Sequence, residues 1–207
     1  MTRADVHTPR AWQAQSLLLA YPDEQFHRHW LPLARRAAAT LPQRVAAPLL
    51  VFADHVGTRA PQDLAADYVA TFDQRRRCCP YLTYYAHGDT RRRGPALLRL
   101  KQTYVAAGWR LVGDELPDHL AVVLEFAAAA GTHEGRRLLG EHRAGIELLR
   151  LALHGAGSPW HHVLDSLHAT LPALSGDEHT AVARLAAEGP PEEQVGTAAP
   201  SAPPPSP

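Results

Sequence analysis

Glu115-Leu116-Pro117-Asp118-His119-Leu120-Ala121-Val122-Val123-Leu124-Glu125-Phe126-Ala127 is the stretch whose reading decides the fold. Leu116, Leu120, Val123, Leu124 and Ala127 recur at i, i+4, i+7, i+8 and i+11, a spacing that lines one broad face of a helix and fits no strand. Working outward, the same period returns almost everywhere. Leu64, Tyr68 and Phe72 share one face, Leu97, Leu100 and Tyr104 another. Leu139, Ile146, Leu149 and Leu153 repeat it, as do Val163, Leu164, Leu167, Leu171 and Leu174. No long stretch alternates.

The punctuation between these stripes suits helices. Thr8-Pro9 and Ser158-Pro159 place a capping hydroxyl before a proline fit for the first helical position. Ser175 with Glu178 matches a capping box, and Gly108 is placed to stop the helix that carries Tyr104. Pro42 and Pro48 are expected to break the early region into short helices. The reading is an all-α, single-domain bundle of roughly eight helices. Residues 1–8 are expected to be flexible, 9–188 to form the helical domain, and 189–207, rich in Pro and Ala, to form a disordered tail.

Composition narrows the function. The 207 residues carry 21 basic and 21 acidic side chains, so the basic excess of a nucleic-acid binder is missing. Lys101 is the only lysine, and the arginine runs read first as a compositional bias. Cys78 and Cys79 are adjacent and have no other cysteine to pair with, which fits a reducing compartment. The polar stretch 1–9 lacks an apolar signal core, and no apolar run reaches the ~20 residues of a membrane span. The expectation is a cytoplasmic protein with no membrane insertion.

Enzyme templates fail. There is no Gly-x-Ser-x-Gly elbow and no glycine-rich phosphate loop, and His133-Glu134 begins a zinc-protease motif that ends at Arg137. Thirteen histidines invite a metal hypothesis, but the pairs His161-His162 and Cys78-Cys79 lack the separation that a structural site favours. The expectation is no catalytic residue, no metal and no cofactor of its own.

What stands out lies between Tyr68 and Phe126: Phe72-Asp73-x-Arg75, then Gly88-Asp89-x-Arg91-Arg92-Arg93-Gly94, then Glu115 to Leu120. Aromatic residues, arginines and carboxylates gather there near helix ends, where function often sits. Each part also has a plain structural reading. Tyr68 and Phe72 fit a core stripe, Pro117-Asp118 a helix start, Gly88-Asp89 a turn, and the arginines a solvated face.

In order and spacing these segments, with Leu18-Leu19-Ala20-Tyr21-Pro22-Asp23 before them, resemble the NarJ family, assembly chaperones of respiratory nitrate reductase. The likeness is best from Leu17 to about Ala130. The related chaperones of dimethyl sulfoxide and trimethylamine oxide reductases usually read Glu-Pro-Asp-His, whereas Leu116 stands before Pro117 here. The resemblance implies a helical fold and a client, the catalytic alpha subunit. Its N-terminal peptide and apo-enzyme surface would be held while molybdenum cofactor is inserted, before membrane docking. The proteins that synthesise the cofactor are further partners on this reading, and the cofactor goes to the client.

A helix-in-groove mode follows as the expected mechanism. Tyr68, Phe72, Leu120, Val123 and Leu124 are candidates for the groove or the layer beneath it. Asp73, Asp118 and Glu125 would meet basic client residues, and Arg75 and Arg92 would meet carboxylates; Asp89 completes the candidate set. His119 is open between two roles, a pH-sensitive contact and a helix-start residue. The rival readings are a chaperone of another molybdoenzyme that binds a twin-arginine signal peptide, a small helical metal-dependent hydrolase, and a regulatory interaction domain.

Overall fold

The computed structural model of the chain describes residues 3–191. Its helices are α1 (Arg3–Leu19), α2 (Leu31–Ala38), α3 (Gln43–Gly57), α4 (Pro61–Phe72), α5 (Leu82–His87), α6 (Arg93–Ala106), α7 (Leu120–Ala129), α8 (Thr132–Glu141), α9 (Arg143–Gly155), α10 (His161–His168) and α11 (Gly176–Glu188). A π-helical turn, Phe26–Trp30, leads into α2, and a 3-10 turn, Arg76–Cys78, follows α4. Among the described residues there is no strand, only a single antiparallel bridge between Tyr81 and His119. None of these helices is long and apolar enough to cross a membrane. The all-α reading stands, and most of the tail expected over 189–207 lies outside the described residues.

Several local expectations are corrected. Helix α1 is already formed at Arg3, so Thr8 does not cap it and Pro9 sits inside, losing one ladder hydrogen bond. Pro48 likewise lies within an unbroken α3, while Pro42 does end the preceding segment as the N-cap residue of α3. Helix α10 starts at His161 after a turn; the Ser158 hydroxyl is buried and caps nothing. The stripe from Leu139 to Leu153 is divided between α8 and α9 at His142, and stays continuous because both helices face one core. Leu116 precedes α7 and is exposed. The capping box of Ser175 and Glu178 and the stop at Gly108, where φ is +75°, are as read.

Helix α1 lies at the centre. Its Trp12, Ala14 and Leu18 are fully buried, and its polar side chains are spent on neighbouring helices. Gln15 Nε2 donates to Ser166 Oγ on α10 at 3.0 Å, and that hydroxyl donates to the Val45 carbonyl of α3 at 2.8 Å. Ser16 Oγ donates to the Ala121 carbonyl of α7 at 2.7 Å. Buried polar groups need such partners, so these bonds fix how the helices are seated. Two aromatic groups fill the space between. Trp160 meets Phe52, Tyr68 and Phe72 with ring centroids 5.5–5.7 Å apart, and Phe126 meets Tyr104 and Trp109.

The segments around Asp118 and Arg93 are clasped together. Leu82 N–H donates to the Asp118 carbonyl and Leu120 N–H to the Pro80 carbonyl, each at 2.9 Å, on either side of the Tyr81–His119 bridge. The Asp118 side chain has no exposure at all. Its Oδ2 accepts from the Thr83 hydroxyl, from Thr83 N–H at 3.2 Å and from Arg93 Nη2 at 3.2 Å. Arg93 also donates to Thr83 Oγ1 at 3.1 Å and lies 5.4 Å above the Tyr81 ring. A charge this deep is tolerated because it is paired and hydrogen-bonded. Gly88, with φ of +59°, ends α5 where the Pro191 backbone passes so close that no Cβ would fit.

His119 opens α7: its Nδ1 accepts from Ala121 N–H at 3.3 Å, which requires that nitrogen to be unprotonated. Burial holds its pKa below the ordinary histidine value, against the pull of Glu115, Asp118 and Asp73. Burial does the same to His142.

Two outcomes follow. Asp118→Ala, which strands Arg93, should cost about 3 kcal/mol of folding stability in urea titrations; a loss near zero would show the clasp to be incidental. For the histidines the folded state binds fewer protons than the unfolded chain, so their contribution is complete above the ordinary value of ~6.5 and is lost as pH falls below it. The melting temperature should therefore drop between about pH 7 and pH 5.5, and His119→Asn, which still caps a helix, should flatten part of that slope. A melting temperature that rose on acidification would contradict this.

Candidate functional site

The site is a cleft of about 680 Å³. One wall is the second half of α1 with Tyr21 and Asp23 just beyond it, and the floor is His119, Ala121 and Val122 at the start of α7. Trp30, Tyr68 of α4 and its C-cap residue Asp73 also line the cleft, with Pro80 and Tyr81 from the clasp. The loop Trp109–Glu115 completes the rim. That loop lies between α6 and the clasp and contains Gly113 at φ +99°, which lets it turn outward while Trp109 stays packed on Tyr104 at 5.0 Å.

Apolar and acidic groups share this space. Val112 is 90% exposed and Tyr21 49% exposed, so the cleft offers apolar surface to solvent. Asp23, Asp73, Glu115 and Glu125 all line the cleft, against Arg110 as the basic side chain. Asp73 and Glu125 make no ion pair among the described residues. Glu115 accepts from the Tyr81 hydroxyl at 3.3 Å and from Leu116 N–H at 2.9 Å. Burial, aided by the charge of Glu115, pushes the Tyr81 hydroxyl up to about 12 and raises Tyr68 as well. The chemistry offered is that of a receptor for a segment with apolar and basic side chains.

The candidate residues from the sequence divide into three places. Tyr68, Asp73, His119 and Glu125 line the cleft. Phe72, Leu120, Val123 and Leu124 lie beneath it in the core. Asp118 is also beneath it, so the rim contact expected of it is corrected: the carboxylate is wholly buried in the clasp. Arg75, Asp89 and Arg92 are exposed elsewhere. Arg75 borders a depression with Arg76, Arg77 and Leu151, and Asp89 lies 3.5 Å from Arg76 and 3.8 Å from Arg93. Arg92 is the N-cap residue of α6. Burial raises the thiol pKa of Cys78 and pushes Cys79 up to about 11, so both stay protonated and act as packing.

Sequence reasoning missed Tyr21, Asp23, Trp30, Glu115 and the loop from Trp109 to Val112. Tyr21 and Asp23 were within a quoted motif, and an apolar cluster flanked by Gly108 and Gly113 was the available signal for the loop.

Comparison with known proteins bears on the family. A family profile described as "Nitrate reductase delta subunit" matches residues 38–165, more than half of the chain. The chain is 39% identical over 153 residues to "Nitrate reductase-like protein NarX" of Mycobacterium tuberculosis, covering 74% of this chain and only 23% of NarX. It is 35% identical over 166 residues to the "Probable nitrate reductase molybdenum cofactor assembly chaperone NarJ" of Bacillus subtilis, covering 79% of this chain and 87% of that one. It is 36% identical over 115 residues to "Nitrate reductase molybdenum cofactor assembly chaperone NarJ" of Escherichia coli, covering 55% and 49%. A solved structure, a putative redox enzyme maturation protein from Archaeoglobus fulgidus, shares the fold with a TM-score of 0.58 at 23% identity, over 78% of this chain and 90% of that one. The profile match and the B. subtilis relative, which the chain covers almost in full, settle the family: this chain belongs to the nitrate reductase delta subunit family.

Proposed function

We propose that this chain is an assembly chaperone for nitrate reductase, a binding protein and not an enzyme, acting in the cytoplasm while molybdenum cofactor enters its client. The client is the catalytic alpha subunit, and its N-terminal segment occupies the cleft before the enzyme docks at the membrane. The observation that carries this reading is the pairing of exposed apolar side chains with four carboxylates around one cleft. An amphipathic segment would lay its apolar face on Tyr21, Trp109 and Val112, with basic residues toward Asp73 and Glu125.

An acidic cleft suits a twin-arginine leader as well, which keeps the chaperone of another molybdoenzyme as the second reading. Titrating both peptides against one protein preparation separates the two readings by affinity.

A chaperone must let go, so binding in the micromolar range, about 8 kcal/mol, is expected. Calorimetric titration of the catalytic subunit's N-terminal peptide should show Asp73→Asn with Glu125→Gln weakening binding several-fold, with the difference shrinking in high salt. Tyr21→Ala should cost about 2 kcal/mol and respond little to salt. If both variants bind as the parent does, the cleft is not the client site.

A further inference from the structure

The geometry points to a binding site for one divalent transition-metal ion, of the zinc, nickel or cobalt kind, formed by His154 Nε2, His161 Nδ1 and the Asp165 carboxylate where α9 meets α10. These donor atoms all lie within 4.8 Å of one another. His161 and Asp165 are four residues apart on α10 and so share a face, while His154 comes from the last turn of α9. The chain reverses between them through Gly157 at φ +62°. Both helices are locked into the core by Leu149, Leu153, Val163, Leu164 and Leu167, all fully buried. The donors are therefore held by rigid elements, as a metal site requires.

The contacts within the group turn both ring nitrogens toward one carboxylate. His154 Nε2 is 2.9 Å from Asp165 Oδ1, and His161 Nδ1 is 3.1 Å from Oδ2. Each ring nitrogen that faces a carboxylate oxygen needs either a proton or a metal between them. In the free chain each neutral ring supplies that proton from the tautomer that carries it on the facing nitrogen; the two rings stack with centroids 4.1 Å apart, and the Arg150 guanidinium lies beside them. A dipositive ion that takes the place of those two protons, with each ring shifting to the tautomer protonated on its outer nitrogen, is met by both neutral rings and the carboxylate at once.

Arg150 stands beside the donors, its Nη1 3.4 Å from His154 Nε2. Its Nη1 donates to Asp165 Oδ1 at 2.9 Å, and Glu147 holds the same guanidinium through contacts of 2.6 and 2.9 Å, offsetting its charge. This fixes the carboxylate so that Oδ2 faces the metal, the usual work of groups behind a ligand. Two imidazoles and one carboxylate select against magnesium and calcium, which take oxygen ligands. With three protein donors and His154 at 40% exposure, a further coordination position is open to water or to a side chain of a bound partner.

The test uses the full chain, free of any affinity tag and stripped with chelator, titrated calorimetrically with zinc chloride and with nickel chloride. One ion per chain and a raised melting temperature are expected. His154→Gln, His161→Gln and Asp165→Asn should each weaken binding by about tenfold or more, whereas His133→Gln, an exposed histidine on α8, should bind as the parent does. His154 is partly exposed, so His154→Gln should keep the parent's circular dichroism and serves as the deciding variant. Parent-like affinity in a folded His154→Gln protein, an equal loss in His133→Gln, or no binding of either metal by the parent would overturn the assignment.

Discussion

A buried carboxylate sets the terms for this molecule. Asp118 lies in the interior, where an ionised group survives only with close opposite charge and hydrogen-bond donors. Arg93 from the start of α6 and Thr83 from the start of α5 supply both. The requirement draws the starts of α5 and α6 and the segment before α7 to one point and leaves them little freedom to slide. The Tyr81–His119 bridge then aligns the backbone, and His119 starts α7 beside it. The floor of the cleft is thus a by-product of satisfying one charge.

That arrangement explains why two polar motifs act as framework instead of contact surface. Asp118 and Arg93 look available for a partner when read as letters, and they are consumed by each other. At the cleft, the carboxylates that no ion pair claims among the described residues are Asp73 at the end of α4 and Glu125 on the outer face of α7.

The fold class was legible because the apolar period is strong and local; Leu120, Val123, Leu124 and Ala127 are buried as the spacing requires. Helix ends were less so. Pro9 and Pro48 are carried inside helices because tertiary burial of Trp12, Leu49 and Phe52 outweighs one lost hydrogen bond each. The cleft was half legible. Tyr68, Asp73, His119 and Glu125 stand in or beside motifs, but Trp30 and Tyr21 reach it only because the π-helical turn and the end of α1 converge there. The His154, His161 and Asp165 cluster was hidden for a similar reason, since its members come from two helices and spacing along one chain segment does not register them.

The loop from Trp109 to Glu115 sits on the rim with glycines of left-handed conformation at 108 and 113. Val112 projects from it almost wholly into solvent and has no part in the core. Replacing such a residue leaves the interior undisturbed, whereas any change to the cleft floor also touches the start of α7. Substitution is therefore cheapest at the outward-facing positions of this loop, whereas Trp109 and Leu111 tie its near side to the core.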